Sequence, residues 1–305
     1  MPNARLLGEA ANTAYQSSET CRKWAQGNGF NEDFDFFSNF GPKTDTNGFV
    51  AQNATTVLVA FRGTNPRERI DWIIDFNALK DKGAFPGAQV HEGFFDALGA
   101  VWGQTLSGKQ ILPGRLLNRG NRAVWITGHS LGGALAELAA ARTILESGIP
   151  VQGVYTFGQP RVGNDAFARK METPLGSRIF RFINNLDIVP RVPLYGMGYR
   201  HYGTEIFFNN KQQQEDRPAT IEGLLGAVRL ALLGVNLTLA DELAKLTLAL
   251  VTDNNAVTKR EFELLGNPKA VLAAGIANIA DHSMENSYLP RLVAALGGAA
   301  TTAQA

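Results

Sequence analysis

The sequence predicts an α/β fold, a mixed and mostly parallel central sheet flanked by helices. Strand-length runs rich in β-branched and aromatic residues recur at 55–61 (TTVLVAF), 122–127 (RAVWIT), 151–157 (VQGVYTF) and 178–183 (RIFRFI). Helix-forming stretches separate them, and strands alternating with helices are the pattern of a parallel sheet covered on both faces. An apolar content of 45% against 19% charged residues is enough to fill a sizeable core. With no internal repeat and no low-complexity linker, residues 1–305 are expected to form a single domain.

Taken in chain order, residues 3–26 place Leu6, Leu7, Ala10, Ala14 and Trp24 at helical spacing and predict one amino-terminal helix. The run 55–61 stops at Arg62-Gly63, as a buried strand does when it enters a loop. Strand 122–127 leads at once into a glycine-containing turn and then the alanine-rich stretch Leu131 to Glu146, a good helix former. Strands 151–157 and 178–183 follow, the second ending in Asn184-Asn185-Leu186-Asp187. Residues 203–208 (GTEIFF) are expected as an edge strand.

Beyond them the pattern turns helical, broken at Gly234, Asp253-Asn254-Asn255 and Gly266-Asn267-Pro268. Residues 212–280 are therefore expected to be a helical insertion, and 297–305 a flexible tail. Within the insertion only Leu230 to Ala240 is free of charge, far short of the roughly 20 residues a membrane span needs. No transmembrane segment is expected.

Lys and Arg number 29 and Asp and Glu 28, so no net field draws the chain to nucleic acid or to an acidic membrane. Cys21 is the single cysteine, which excludes an intrachain disulfide framework and any multi-cysteine metal site. The first nineteen residues hold no apolar run long enough for the core of a signal peptide, so export of the chain as given by that route is not expected.

Gly128-His129-Ser130-Leu131-Gly132 places a serine between a predicted strand and a predicted helix. That context is the nucleophile elbow of α/β-hydrolase folds, where flanking glycines admit neighbouring backbone that side chains would block. The bland alternative is a glycine-rich helix start capped by Ser130. A serine hydroxyl is a weak nucleophile and needs a base oriented by a third group. In this fold the acid and the base follow the serine along the chain, in that order.

Of the four histidines, His91 precedes Ser130, and His129 is expected to point away from it into packing. His201 and His282 remain, and His282 is favoured because His201 comes only 14 residues after the best acid. That acid is Asp187, just past a core strand, at the carboxyl edge where catalytic groups collect. Asp71, Asp165 and Asp281 are read as a loop anchor, a turn residue and a neighbour of the base. The expected catalytic residues are thus Ser130, Asp187 and His282, working through an acyl-enzyme without a cofactor or metal.

Seven segments in one order resemble the class 3, fungal-type triacylglycerol lipases. They are Phe61-Arg62-Gly63-Thr64, Asp71-Trp72, His91-Glu92-Gly93-Phe94, Gly128 to Gly133, Phe157 to Asn164, Asp187-Ile188-Val189-Pro190 and Asp281-His282. The resemblance implies an oxyanion hole at Thr64 and Leu131, and an amphipathic lid at 65–74 (NPRERIDWII). It also implies substrate-contacting residues at Trp72, Phe94, Val189 and Val192. The expected partner is an ester or lipid substrate, met through transient contact of the lid and the insertion with a lipid–water interface. Soluble or feruloyl-type esters, and a non-catalytic lipid-binding scaffold, stay open as alternatives. Two features depart from the family: the absence of disulfides and the 95 residues between Asp187 and His282.

Overall fold

The protein is described from a computed structural model that covers residues 3–40, 45–64, 81–106, 109–184, 187, 189–193, 197–208, 214–215 and 282–300. The expected lid at 65–74, with Asp71 and Trp72, lies outside the described residues, as do Asp281 and nearly all of the expected insertion.

The amino-terminal segment makes two helices rather than the one expected, α1 (Ala4–Thr13) and α2 (Ser18–Gly27). Ser17 causes the break, because its backbone is extended and its hydroxyl accepts from the N–H of Thr20, capping a new helix. A hairpin not expected from the sequence follows, β1 (Asp33–Phe40) against β2 (Asp45–Gln52). Its signal is the alternation Asp33-Phe34-Asp35-Phe36, a strand period of two. Phe34 stacks on Phe49, while Asp33 and Asp35 both pair with Arg115 at 2.6 Å.

β3 (Thr56–Phe61) is followed by β4 (Asp81–Phe85), β5 (Ala88–His91) and α3 (Glu92–Trp102). A two-residue pair, β6 (Thr105–Leu106) and β7 (Lys109–Gln110), leads into α4 (Leu112–Leu117). Next come β8 (Ala123–His129), α5 (Leu131–Ser147), β9 (Gly153–Phe157), β10 (Gly163–Asn164) and α6 (Asp165–Leu175). β11 (Ile179–Asn184), β12 (Tyr199–Arg200), β13 (Thr204–Phe208) and β14 (Gln214–Glu215) complete the strands, and α7 (Leu289–Ala300) is the last helix. That helix runs four residues into the stretch expected to fray.

Among the described residues the main sheet has the order β1-β2-β3-β8-β9-β11-β13-β14. From β3 to β13 every pairing is parallel, and the antiparallel pairs lie at the two ends. β13 is not an edge strand as expected, since the short β14 pairs with its outer side through Phe207 and Phe208. One face packs on α3 to α6, with Val59, Ile126, Val154 and Ile179 pointing into that core. The other face packs on α1, α2 and α7 through Leu58, Tyr155, Phe157 and Phe182.

Two local features set where the site forms. Residues 132–141 of α5 are all buried, and their small side chains let the helix lie directly on the strands. Gly148, at φ 64, ends the helix in the left-handed conformation. At the carboxyl end of the chain, α7 rests on Gly8 of α1, where a Cβ would come within 2.8 Å of Leu292 Cδ1.

Candidate active site

The parallel strands β8, β9 and β11 end at one edge of the sheet, and Ser130, Asp187 and His282 gather there. Ser130 links β8 to α5 with φ 59, and no other non-glycine residue among those described has a positive φ. A side-chain-bearing residue in this region costs roughly 1–2 kcal/mol, so the surroundings must hold it. They do so by close backbone approach: a Cβ on Gly128 would sit 2.1 Å from Gly132 O, and one on Gly132 would sit 2.4 Å from Phe61 O. The Ser130 N–H donates to Phe157 O at 2.9 Å, which ties the elbow to β9.

Gly63 is pressed onto the same turn. Its Cβ would lie 2.4 Å from His129 O and 3.0 Å from Ser130 Cβ. Thr64 follows it, half-buried, with its Oγ1 buried and unpartnered among the described residues. Leu131 is the first residue of α5, so its N–H has no acceptor within the helix and stands at the positive end of the helix dipole.

Asp187 is fully buried and its carboxylate receives three hydrogen bonds. The Val189 N–H donates to Oδ1 at 2.9 Å, the Tyr288 hydroxyl to Oδ2 at 2.6 Å, and His282 Nδ1 to Oδ2 at 2.7 Å. A carboxylate accepts, so Nδ1 of His282 carries the hydrogen and Nε2 is left with a free lone pair. That Nε2 is buried and has no partner among the described residues, and the same holds for Ser130 Oγ. The two atoms that a proton would pass between are thus both dry and both unused, without a hydrogen bond between them in this state. Catalytic hydrogen bonds commonly tighten only once substrate is bound.

Gly158 underlies this pair. It has φ +59, and a Cβ there would meet Asp187 Oδ2 at 2.7 Å and His282 Cε1 and Nδ1 at 2.8 Å. The Asp–His pair therefore lies directly over a bare backbone. His129 supports it from another side. Its Nε2 faces His282 O at 2.7 Å, and because a carbonyl only accepts, that nitrogen bears the hydrogen and Nδ1 accepts from the Tyr15 hydroxyl at 2.8 Å. Its ring also lies 4.6 Å from the His282 ring. His129 is thus buried in packing, as expected, and that packing includes His282, whose backbone carbonyl it holds.

The segment carrying His282 is fixed by polar contacts. Ser283 Oγ accepts from the Asn286 N–H at 3.2 Å, which opens the single wide turn Met284–Tyr288. Asn184 Nδ2 donates to Ser287 Oγ, and the Asn184 N–H donates to the Tyr288 hydroxyl at 3.1 Å. The loop after Asp187 is clamped as well. Arg161 donates through its guanidinium to Pro193 O and through its N–H to Val192 O, each at 2.8 Å. His201 Nε2 donates to Pro190 O at 2.8 Å, so this histidine holds the acid loop.

Of the other expected residues, Phe94, Val189 and Val192 are all buried. Phe94 and Val192 belong to the core on the α5 face, and Phe94 lies 4.4 Å from the His91 ring. Asp165 opens α6 and pairs with Arg169. Among the described residues no group of three or more potential metal ligands occurs. Tyr15, Gly158 and Tyr288 are the supporting residues that sequence reasoning did not single out for a role.

Residues 58–197 match the family described as Lipase (class 3). A secreted mono- and diacylglycerol lipase 1 of Fusarium solani is 36% identical over 180 residues, 58% of this chain and 51% of that protein. A triacylglycerol lipase of Arabidopsis thaliana is 29% identical over 235 residues, 61% of this chain and 45% of that protein. The chain thus spans about half the length of the curated relatives it matches. Among solved structures, the lipase from Rhizopus microsporus var. chinensis superposes with a TM-score of 0.55 at 30% identity, covering 70% of this chain and 74% of that one.

Proposed function

The chain belongs to the class 3 lipase family, and from that premise we propose that it is a serine hydrolase of carboxylic esters whose substrates are acylglycerols. The observation that carries this reading is the Asp187–His282 pair, whose outward nitrogen is buried and unpartnered at the same sheet edge as the strained, unpartnered Ser130 hydroxyl.

In the proposed reaction Ser130 Oγ attacks the ester carbonyl carbon while His282 Nε2 takes the hydroxyl proton. Asp187 keeps the imidazole in the tautomer that can accept it and stabilises the imidazolium that forms. The carbonyl oxygen becomes an oxyanion, held by the Leu131 N–H together with the N–H and hydroxyl of Thr64. Each such donor contributes on the order of 3 kcal/mol to the transition state. The carbon–oxygen bond to the alcohol then breaks, and His282 returns its proton to the leaving alkoxide. Water, activated by the same nitrogen, attacks the acyl-enzyme, and the acid is released with Ser130 restored.

Trp72, Phe94, Val189 and Val192 are proposed to meet the acyl chain, with Val189 next to the acid loop and Phe94 at the start of α3. Residues 65–74 follow directly on Thr64, and their apolar face Ile70, Trp72, Ile73 and Ile74 suits a lid that opens on lipid. Among the described residues no helix is long and apolar enough to cross a membrane. The whole chain, 1–305, is taken as one domain with the insertion at 212–280.

The test is hydrolysis of p-nitrophenyl esters from short to long acyl chains beside triolein, with organophosphonate labelling of Ser130. Long-chain and triolein activity, lost to below about a hundredth in Ser130→Ala, is expected. Activity confined to short soluble or feruloyl-type esters would reassign the substrate, and absence of labelling would reduce the chain to a binding scaffold.

A further inference from the structure

Behind the nucleophile, on the α5 face of the sheet, lies a buried polar group that the reaction above does not use. Glu137 is on α5 two turns from Ser130, about 10 Å along the helix axis, and its side chain is shut off from solvent. Gln159 is the residue after Gly158, the bare backbone under the Asp187–His282 pair. Its amide Nε2 donates to Glu137 Oε2 and, at 3.3 Å, to Pro160 O. The amide is pressed in place by Gly133, where a Cβ would lie 2.9 Å from Gln159 Cβ. Its other atom, Oε1, is buried and unpartnered.

We propose that Glu137 and Gln159 form an acid–amide bolt that fixes the Ser130 helix against the Gly158 turn, making Glu137 a positioning residue for the meeting of Ser130 with His282. This rests on the ester-hydrolase reading of the site.

The bolt needs Glu137 in its protonated form. A carboxylate can accept the Gln159 N–H but offers no donor for the amide oxygen Oε1, which has no partner among the described residues. A carboxylic acid supplies that donor, so that one amide and one acid exchange two hydrogen bonds. The surroundings favour this form. Burial pushes the Glu137 carboxyl up to about 8, against the opposing pull of the Gln159 hydrogen bond and the Arg181 charge. Arg181, on β11, is the cation facing it, but its guanidinium is already directed to Tyr202 O at 2.9 Å and to Glu205 at 3.5 Å. Tyr202 faces it too, with a buried hydroxyl that has no partner among the described residues, and Glu172 of α6 is a carboxylate near that phenol.

Ionisation removes one of the two bonds and loosens the turn, so turnover falls while substrate binding, which involves neither residue, does not. For the parent chain kcat on p-nitrophenyl butyrate is expected to decline above about pH 8, reaching roughly a fivefold loss by pH 9. In Glu137→Gln the amide keeps both bonds and cannot ionise, so its ratio of kcat at pH 9 to kcat at pH 7 is expected within about twofold of unity. Glu137→Leu and Gln159→Leu lose the bolt from either side, and each is expected to lower kcat about tenfold at pH 7 with KM unchanged. Melting curves identify any variant that fails to fold, and the remaining ones decide. The same alkaline decline in Glu137→Gln as in the parent, or parental kcat in both leucine variants, overturns the inference. A parent chain that neither hydrolyses esters nor reacts with phosphonate at Ser130 overturns the hydrolase reading, and this inference with it.

Discussion

Replacing Gly158 by alanine adds one methyl group at the point where the Asp187–His282 pair crosses the backbone. Its Cβ would lie 2.7 Å from Asp187 Oδ2 and 2.8 Å from His282 Nδ1, about 0.7 Å short of the 3.4 Å at which ordinary contact begins. Neither neighbour can yield cheaply. The carboxylate is held by Val189, Tyr288 and His282, and the imidazole by Asp187 and, through its backbone carbonyl, by His129. The left-handed backbone adds roughly 1–2 kcal/mol of strain for alanine. A reacting group misplaced by about 1 Å costs about 10²-fold, and a base that loses its orienting acid costs about 10⁴-fold. Gly158→Ala is therefore expected to lower kcat by about 10² to 10⁴ with a modest loss of stability. The assay is initial-rate hydrolysis of p-nitrophenyl butyrate beside a melting curve. Gly148→Ala is the control, since Gly148 has φ +64 and, apart from its own chain neighbours, no described atom lies within 4 Å of its Cβ position. It carries the strain without the collision, and should lose stability but not activity. A Gly158→Ala variant with half or more of the parental kcat would refute this account of the turn.

Tyr288→Phe removes the phenol that donates to Asp187 and accepts from the Asn184 N–H. A loss of about 1–3 kcal/mol in urea unfolding and a kcat reduced about tenfold are expected, and a parental value for both would remove Tyr288 from the support of the acid. Thr64→Val keeps the shape and the backbone N–H but deletes the hydroxyl, so kcat should fall about 10²-fold at constant KM if that hydroxyl serves the oxyanion. Unchanged kcat would exclude it from the hole. Glu137 also predicts how stability varies with pH. Its folded value, about 8, lies above the ordinary 4.5, so the folded state binds more protons between the two. Stability is then highest below about pH 4.5 and is lost as pH rises to about 8, on the order of 4 kcal/mol from this group alone. Urea midpoints at pH 5 and pH 8.5 should differ by less in Glu137→Gln than in the parent, and an equal difference in both would show that Glu137 titrates normally.

Much of the framework is local, and local structure leaves a local signature. β3, β8, β9 and β11 are short apolar runs that end within two residues of where periodicity placed them, and Gly128, Ser130 and Gly132 mark the elbow because only glycine admits the backbone around it. Order along the chain, the place of Asp187 just past a core strand and the short distance from it to His201 were what proposed Asp187 and His282 as the acid and the base. The second amino-terminal helix and the β1–β2 hairpin were also written locally, in Ser17 with Thr20 and in the alternation of Asp33 to Phe36, but each is a single cap or a single short pattern.

What only the tertiary structure decided is how the proposed triad is held. Tyr288 reaches Asp187 across 101 residues, Tyr15 reaches His129 across 114, and His129 reaches the His282 carbonyl across 153. Glu137 meets Gln159 because a helix and a turn pack on the same face of the sheet. Such contacts have no period and no fixed spacing, and a tyrosine that orients a carboxylate has the same composition signature as one that fills a core. The sequence by itself therefore singled out the side chains proposed to react, through their chemistry, spacing and order. The three-dimensional packing decided which otherwise ordinary residues keep them dry, oriented and one methyl group away from collision.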